Sequence, residues 1–344
     1  MKKRFEYIDT LKGFAILCVI WGHSIQFLRN NDDSFKNPIF EFIYSFHMPL
    51  FFFISGYFFM SSLKIDFIDF IKNKFTQLLL PCLMWGIFVY IAKLFLSVVT
   101  GNQILWLNVI KSMFYPNAWP FWFFQELFKS YVLVFIFFKV FKKDWLAFLI
   151  SILFVLIVPF CDFQRFLIPV FWAGIFLRKY QNFLFDNKNI LTVFFGICFF
   201  ISLIFWKGDY TIYVAGFPIL FQINNLTFNF SLIDVSIFRL FIGLSGSMFF
   251  FLLFYIIFDK SFKCSFLKDI GTYSLAIYIL QATILEYLIN RLIDFSNANI
   301  YIYNFVITPF IAICVAYICL LITKIINKNK RISYILFGSS YIKK

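Results

Sequence analysis

The chain has 344 residues, of which 62% are hydrophobic and only 14% are charged, and its mean hydropathy is +0.85. A soluble domain has roughly a quarter charged residues, so this composition excludes a soluble globular protein and predicts an integral membrane protein. The formal net charge is +14, but the basic residues are spread over many short loops. A nucleic-acid-binding protein would concentrate them on one face, so no nucleic-acid partner is expected.

Apolar runs of membrane length divide the chain into ten predicted helices. In chain order they span residues 11–28, 39–61, 76–99, 120–140, 145–160, 164–177, 190–206, 237–258, 272–293 and 303–326. These runs are too long for the strands of a membrane barrel, which alternate over about ten residues. The sixth run is short and contains Arg165, which fits a re-entrant or partly buried segment. The predicted fold is all-α, a polytopic integral membrane protein with one domain over 1–344 and no fused soluble domain.

The positions of lysine and arginine predict the orientation in the membrane. If the first helix starts in the cytoplasm, 22 of the 31 basic residues fall in the N-terminal segment, the alternate loops and the C-terminal tail. Seven fall in the outer loops and helix ends. Because basic residues are enriched on the cytoplasmic side, both termini are predicted to be cytoplasmic. The first apolar run lacks a small-residue cleavage site, which predicts that it is retained as a helix.

The chain has only two histidines, His23 and His47, and both lie inside predicted membrane helices. A titratable ring at bilayer depth needs an internal partner or an aqueous cavity, and imidazole can accept and return a proton near neutral pH. His23 follows Lys12 by about three helical turns, or roughly 16 Å, so the two side chains share one face. That face could form a tunnel with a cation at its cytoplasmic mouth and a base near mid-membrane. Alternatively, each histidine only hydrogen-bonds a neighbouring helix, and Lys12 is a snorkelling membrane anchor.

Two further cations, Lys72 and Lys74, stand at the cytoplasmic entrance of the third helix. Paired cations suit phosphate groups, but they fit the positive-inside rule equally well. Arg239 lies near the outer end of the eighth helix, where it could pair with Asp234 or meet a polar acceptor.

Two acidic residues are placed to form ion pairs within their own helices. Asp9 precedes Lys12 by three residues, and Glu126 precedes Lys129 by the same interval. Side chains three apart are neighbours on a helix surface, so both pairs are predicted.

The second helix combines three features around its histidine. Pro49 removes a backbone hydrogen bond and is predicted to kink the helix beside His47. Ser55 and Gly56 permit the close approach of another helix.

The seven cysteines lie mostly in apolar runs and form no CxxC pair. This argues against a disulfide framework and against a zinc site. No GxxxxGK[ST] motif is present, so no ATP-driven step is indicated.

Two stretches of the sequence resemble the signatures of a known family. The segment YIDTLKGFAI at 7–16 followed by His23, and HMPLFFFISGY at 47–57, are similar to the membrane acyltransferase-3 family. Within it, the chain most resembles the fucose-4-O-acetylase-like, stand-alone ten-helix sugar O-acyltransferases. Lys12 stands where the family has arginine, Lys72 and Lys74 stand at an entrance that is usually arginine-rich, and Gln281 stands where a histidine often occurs. Further similarity lies at Leu80-Pro81, Trp85, 119–123, 239–246 and 271–278.

The resemblance implies transfer of an acyl group, usually acetyl, from cytoplasmic acyl-CoA to a sugar hydroxyl. The expected acceptor is an envelope glycan (capsule, O-antigen, exopolysaccharide or a lipid-linked precursor) at the inner membrane of a bacterium. Acetyl-CoA or another acyl-CoA would be a donor substrate, and no cofactor would be bound permanently. An alternative is a transporter or exporter of a glycan or lipid-linked sugar with the same fold. A receptor or structural membrane protein is a third possibility.

The resemblance also assigns roles to residues. His23 corresponds to the family's catalytic histidine, either as a general base or as a carrier of the acyl group. Gln281 can orient a partner or hydrogen-bond to it but cannot be a base. No metal site is expected. The substrate-binding candidates are Lys12, Lys72, Lys74, His47, Ser55, Trp122, Glu126, Arg239 and Gln281, and Asp9, Pro49 and Gly56 are structural support.

Overall fold

The computed structural model describes residues 5–29, 34–100, 121–158, 161–216, 218–222, 225–259 and 263–338. The regular elements of its first half are all helices, and its second half adds one short hairpin. The helices of the first half are α1 (Glu6–Phe27), α2 (Pro38–Phe59), α3 (Phe67–Lys74), α4 (Leu80–Thr100), α5 (Trp122–Val140), α6 (Asp144–Ile157), α7 (Asp162–Lys179), α8 (Gln181–Asp186) and α9 (Lys188–Phe205). The second half comprises α10 (Ile212–Ala215), β1 (Ile219–Gln222), β2 (Asn225–Phe228), α11 (Ile233–Phe258), α12 (Ser265–Thr272), α13 (Ser274–Ala282), α14 (Asn290–Leu292), α15 (Ile300–Ile302), α16 (Thr308–Ile326) and α17 (Lys330–Phe337).

Each of the ten predicted segments coincides with helix in the part of the chain that the structure describes. Three of them contain a stretch of π-helix, at Phe75–Leu79, Thr283–Ile289 and Tyr303–Ile307. These stretches join α3 to α4, α13 to α14 and α15 to α16 without a break. Residues 101–120, including Trp119 and Pro120 of the family-like stretch 119–123, lie outside the described residues.

Six helical stretches of the described residues are long and apolar enough to cross a membrane. The predicted polytopic membrane architecture is therefore confirmed, while the count of ten crossings and the cytoplasmic termini stay predictions. The other predicted segments are shorter or, like α5 and α7, interrupted by charged residues. The six stretches are Glu6–Phe27, Pro38–Lys64, Phe67–Ile91, Lys188–Phe205, Phe230–Phe258 and Ile300–Ile326.

One departure from an all-helical chain is the antiparallel hairpin formed by β1 and β2. Ile219 pairs with Phe228, and Gln222 with Asn225. The hairpin lies between α10 and α11, in a connection that no hydropathy run covers.

Helices α1 and α2 form the centre of the molecule. α1 packs against α2, α11, α12, α13 and α16, and α2 packs against α7 and α11. The backbones approach closely where side chains are absent: a Cβ added to Gly56 of α2 would lie 1.9 Å from the carbonyl oxygen of Phe171 in α7. The close helix approach predicted at Gly56 is thus present. This contact between α2 and α7 fixes the position of α2, the helix that carries both His47 and Ser55.

Candidate active site

His23 lies on α1 and hydrogen-bonds Gln281, which α13 contributes from 258 residues further along the chain. The distance from His23 Nδ1 to Gln281 Oε1 is 3.0 Å. The amide of Gln281 is itself oriented, because its Nε2 donates to the carbonyl of Tyr278 at 3.2 Å. Since an amide oxygen can only accept, the hydrogen of the neutral His23 ring lies on Nδ1. The lone pair is therefore on Nε2, which is the arrangement that a general base needs.

The helix around His23 is held from several directions. Trp21 donates its indole Nε1–H to the hydroxyl of Thr308 on α16 at 2.9 Å. Gly22 leaves space for the ring of Tyr44, because a Cβ there would lie 2.9 Å from that ring. Gln281 is fully buried, whereas His23 keeps an accessible fraction. A fixed but reachable imidazole can therefore meet a substrate.

A first cavity, here called the Lys12 cavity, has a volume of about 260 Å³ and opens among α1, α2, α3, α5, α12 and α13. Lys12 and Lys74 supply cations to its lining, and Ser55, Thr272 and Ser274 supply hydroxyl groups. The structure therefore brings together three of the predicted substrate-binding residues, Lys12, Lys74 and Ser55.

Both cations of the Lys12 cavity are anchored. Lys12 Nζ lies 2.8 Å from Asp9 Oδ1, which confirms the predicted ion pair. Lys74 Nζ lies 3.7 Å from the centroid of the Tyr131 ring, a cation–π geometry. Lys72 is exposed and does not line the cavity. Of the two lysines before the third helix, only Lys74 is therefore placed to meet a ligand there.

A second cavity, here called the Arg239 cavity, has a volume of about 40 Å³. Its lining includes the predicted residues His47, Pro49, Trp122 and Arg239, together with Tyr44, Ser45, Met48, Phe166, Leu167, Trp206, Thr211 and Ile212. His47 donates from Nδ1 to the carbonyl of Ile43 at 2.7 Å, which leaves Nε2 as an acceptor.

Arg239 is buried, and its contacts decide between the two partners proposed from the sequence. Its Nε donates to the carbonyl of Tyr210 at 2.8 Å, and Nη1 donates to the carbonyl of Gly216 at 3.1 Å. Asp234 is exposed and accepts from the amide of Val235. Arg239 therefore meets polar acceptors rather than Asp234.

Neither cavity has His23 among the residues that line it. Lys12 and His23 lie on the same helix, and Tyr44 of the Arg239 cavity packs against Gly22, the residue before His23. The predicted tunnel from Lys12 to His23 stays a prediction.

Glu126 lines neither cavity and belongs to a separate polar network. Lys129 Nζ lies 2.7 Å from Glu126 Oε1, which confirms the predicted ion pair. Gln164 Nε2 donates to Glu126 Oε2 at 2.7 Å, and the Ser130 hydroxyl donates to Gln164 Oε1 at 2.7 Å. These bonds tie α5 to α7, so Glu126 holds the helix that presents Trp122.

Sequence reasoning did not identify Trp206, Thr211 or Tyr44 as site residues. Trp206 and Thr211 lie in the connection after α9, and a short 3₁₀ turn at Gly208–Tyr210 brings them to the Arg239 cavity. Aromatic and hydroxyl residues in such a connection carry no periodic signal. Trp206 and Thr211 are identified as site residues only by their place in the lining of the cavity beside Arg239.

The described residues thus define a polytopic membrane protein whose central helix presents an oriented imidazole, and which also has a cationic cavity and a cavity lined by a buried arginine. The sequence model of the acyltransferase domain of the acyltransferase-3 family matches residues 5–324. Because this match covers nearly the whole sequence, the chain belongs to the acyltransferase-3 family.

Two curated relatives are similar to shorter parts of the chain. The nodulation protein NolL of Sinorhizobium fredii is 40% identical over 89 residues, which cover 25% of this chain and 24% of the relative. The nodulation protein NolL of Mesorhizobium japonicum is 34% identical over 131 residues, which cover 37% of this chain and 34% of the relative. The matched stretches thus span about a quarter and a third of the relatives' own length. No solved structure matches the chain.

Proposed function

We propose that the protein is a membrane O-acyltransferase that moves an acyl group, most simply acetyl, from cytoplasmic acyl-CoA to a sugar hydroxyl of a cell-envelope glycan. Membership of the acyltransferase-3 family supports the class of reaction. The observation that carries the proposal is the bond from His23 to Gln281, because it leaves Nε2 of a fixed imidazole free to take a proton. The matched relatives are bacterial, which supports a place in the inner membrane of a bacterium.

The Lys12 cavity is the proposed site for the donor. Acyl-CoA carries several phosphate groups, and Lys12 and Lys74 offer two cations in one cavity. Lys74 belongs to one of the loops that are predicted to be cytoplasmic because they are rich in lysine and arginine. This supports a cytoplasmic position for the cavity. Lys12 is held by its ion pair with Asp9, and Lys74 is held against the ring of Tyr131. The hydroxyl groups of Ser55 and Ser274 add neutral hydrogen-bonding capacity.

His23 acts on the acceptor in this proposal. Its Nε2 takes the proton of the sugar hydroxyl while the oxygen attacks the thioester carbonyl of the donor. The carbon–sulfur bond breaks, and the departing CoA thiolate takes the proton back from the imidazolium. Gln281 accepts from Nδ1–H throughout and stabilises the charged ring by holding its orientation. The products are the sugar ester and free CoA, with no net proton gained or lost.

A two-step route uses the same atom of His23. Nε2 would attack the thioester, release CoA and carry the acyl group as an acyl-imidazole, which the sugar hydroxyl would then attack. The Nδ1 bond to Gln281 serves this route equally, because it leaves Nε2 as the nucleophile. Trapping labelled acyl group on His23 in the absence of acceptor distinguishes this route from direct transfer.

The proposal is tested with the purified full-length chain in lipid nanodiscs, acetyl-CoA labelled in the acetyl group, and crude envelope glycan. We expect label to enter the glycan and CoA to be released in equal amounts. A transporter or exporter would move glycan across a sealed vesicle without consuming acetyl-CoA. Glycan movement with no label transfer would therefore favour the transporter and overturn the enzyme.

A further inference from the structure

Three hydrogen-bond donors that line the Arg239 cavity have no partner among the described residues. They are Nη2 of Arg239, the indole Nε1 of Trp206 and the hydroxyl of Thr211. All three side chains are buried, with exposed fractions of 3%, 5% and 4% respectively. Buried polar atoms in folded proteins are almost always hydrogen-bonded, so three orphaned donors around one small cavity indicate a ligand rich in acceptors.

The charge at this cavity indicates which kind of acceptor is needed. Arg239 is satisfied only by the neutral carbonyls of Tyr210 and Gly216, and no carboxylate of the described residues pairs with it. A buried cation is costly unless an opposite charge and hydrogen bonds compensate it. A sugar hydroxyl offers acceptor capacity but no charge, whereas a carboxylate offers only acceptors and carries the missing negative charge.

The volume of the cavity limits the size of the group that enters it. At about 40 Å³, and with roughly 10–15 Å³ needed for one water molecule, it has space for about three water-sized groups. A carboxylate, with one carbon and two oxygens, matches this space. A whole pyranose ring does not fit, so the ring must lie outside and insert only its carboxylate.

The cavity also lies next to the proposed catalytic group. Tyr44 lines it, stacks edge-on against His47 with ring centroids 4.7 Å apart, and packs against Gly22 beside His23. His47 keeps Nε2 as an acceptor in the same lining. The cavity therefore combines donors for an anion with one acceptor for a neighbouring sugar hydroxyl.

We propose that the Arg239 cavity is a subsite for the carboxylate of an acidic sugar, so that the acceptor of this acyltransferase is a uronic-acid-type residue of the glycan. Arg239, Trp206 and Thr211 donate to the carboxylate, and the sugar ring is thereby placed with a hydroxyl directed toward His23. The substrate class rests on the proposed function, but the carboxylate subsite can be measured without any acyl transfer.

The test uses glucuronate and its uncharged amide, glucuronamide, as matched probes of equal size. Their dissociation constants are measured by calorimetry on the full-length chain in nanodiscs, with no acetyl-CoA present. We expect glucuronate to bind at least about tenfold more tightly than glucuronamide, because hydrogen bonds to a charged acceptor are roughly twice as strong as neutral ones. Arg239→Gln should abolish this preference.

Thr211→Val keeps the test decisive if the Arg239 variant fails to fold. It removes only a hydroxyl that has no partner within the described structure, so the protein should remain folded, and glucuronate binding should weaken by about tenfold. Thr192→Val is the matched control, because Thr192 is also buried and its hydroxyl donates to the Lys188 carbonyl of α9, away from the cavity.

Two results would overturn the subsite: equal or absent binding of both probes by the wild-type chain, or an unchanged glucuronate affinity in Thr211→Val. Either would mean that the donors are satisfied by water alone. Because the binding assay contains no acetyl-CoA, its outcome is independent of acyl transfer. Glucuronate binding without acyl transfer would support the carboxylate subsite and contradict the proposed acyltransferase activity. Acyl transfer to neutral glycans with no preference for a carboxylate would support the activity and contradict the subsite.

Discussion

Gln281→Leu isolates the contribution of the bond that orients His23. The side chain of Gln281 is fully buried, and leucine has a similar size, so the change removes a hydrogen-bond acceptor and adds little volume. His23 Nδ1 then loses its partner at 3.0 Å. The ring can rotate or move its proton to Nε2, and either change removes the base from the acceptor hydroxyl.

The size of the effect follows from the energy of one buried hydrogen bond. A donor left unsatisfied costs about 1–3 kcal/mol, and each 1.36 kcal/mol is a factor of about ten in rate. We therefore expect kcat to fall about fivefold to 150-fold. The KM for acetyl-CoA should stay within about twofold, because no atom of Gln281 lines the Lys12 cavity.

Initial rates of acetyl transfer by purified variants provide the measurement. Gln281→His is the rescue variant, because a second imidazole can accept from Nδ1 of His23. Thr283→Val is the control. It removes the hydrogen bond from the Thr283 hydroxyl to the Ile279 carbonyl, which lies within one turn of Gln281 and does not involve His23. An unchanged kcat in folded Gln281→Leu, or a rise in KM without a fall in kcat, would refute the positioning role.

Three other expectations follow from the same structure. Reporter fusions at the C-terminus should behave as cytoplasmic; an outer-side signal would contradict the orientation. Lys12→Ala should raise the apparent acetyl-CoA constant about tenfold or more, and so should the Lys72→Ala/Lys74→Ala double variant. Of Lys72 and Lys74, only Lys74 lines the cavity, so Lys72→Ala alone should change the constant little and Lys74→Ala alone should raise it; equal effects of these two single variants would argue for general surface charge. Gly56→Ala should lower the yield and melting temperature, because its Cβ would meet the Phe171 carbonyl oxygen at 1.9 Å; normal stability would mean that α2 and α7 separate easily.

The helical architecture was predictable from hydropathy because membrane-length apolar runs have few alternative structures. The segment 190–206 and the helix Lys188–Phe205 differ by two residues or fewer at each end. The first helix begins earlier than expected, at Glu6 rather than residue 11, because polar residues at its start end the apolar run without ending the helix.

Elements outside the apolar runs were not predictable in the same way. The amphipathic helix Lys330–Phe337 and the two strands of the hairpin are too short to give a membrane-length hydropathy signal. The π-helical stretch Thr283–Ile289 is a detail of hydrogen bonding that apolar periodicity does not specify.

Within the site, contacts close in sequence were predictable and distant ones were not. The pairs of Asp9 with Lys12 and of Glu126 with Lys129 follow from helical spacing alone. The bond between His23 and Gln281 joins residues 258 positions apart, so no spacing rule could give it. Resemblance to the family marked both residues, but only the packing of α1 against α13 brings them together.

The most direct test of the account compares acetyl transfer to envelope glycan by the wild-type chain and His23→Ala, both purified in nanodiscs and shown to be folded by their melting transitions. Loss of a general base costs about 10²–10⁴-fold in rate, and we expect at least this loss for His23→Ala. His47→Ala, measured beside it, should lose much less, because His47 only lines the Arg239 cavity and removes no proton in the proposed reaction. Near-normal transfer by folded His23→Ala would contradict the central claim, and so would failure of the variant to fold, which would make His23 a structural residue.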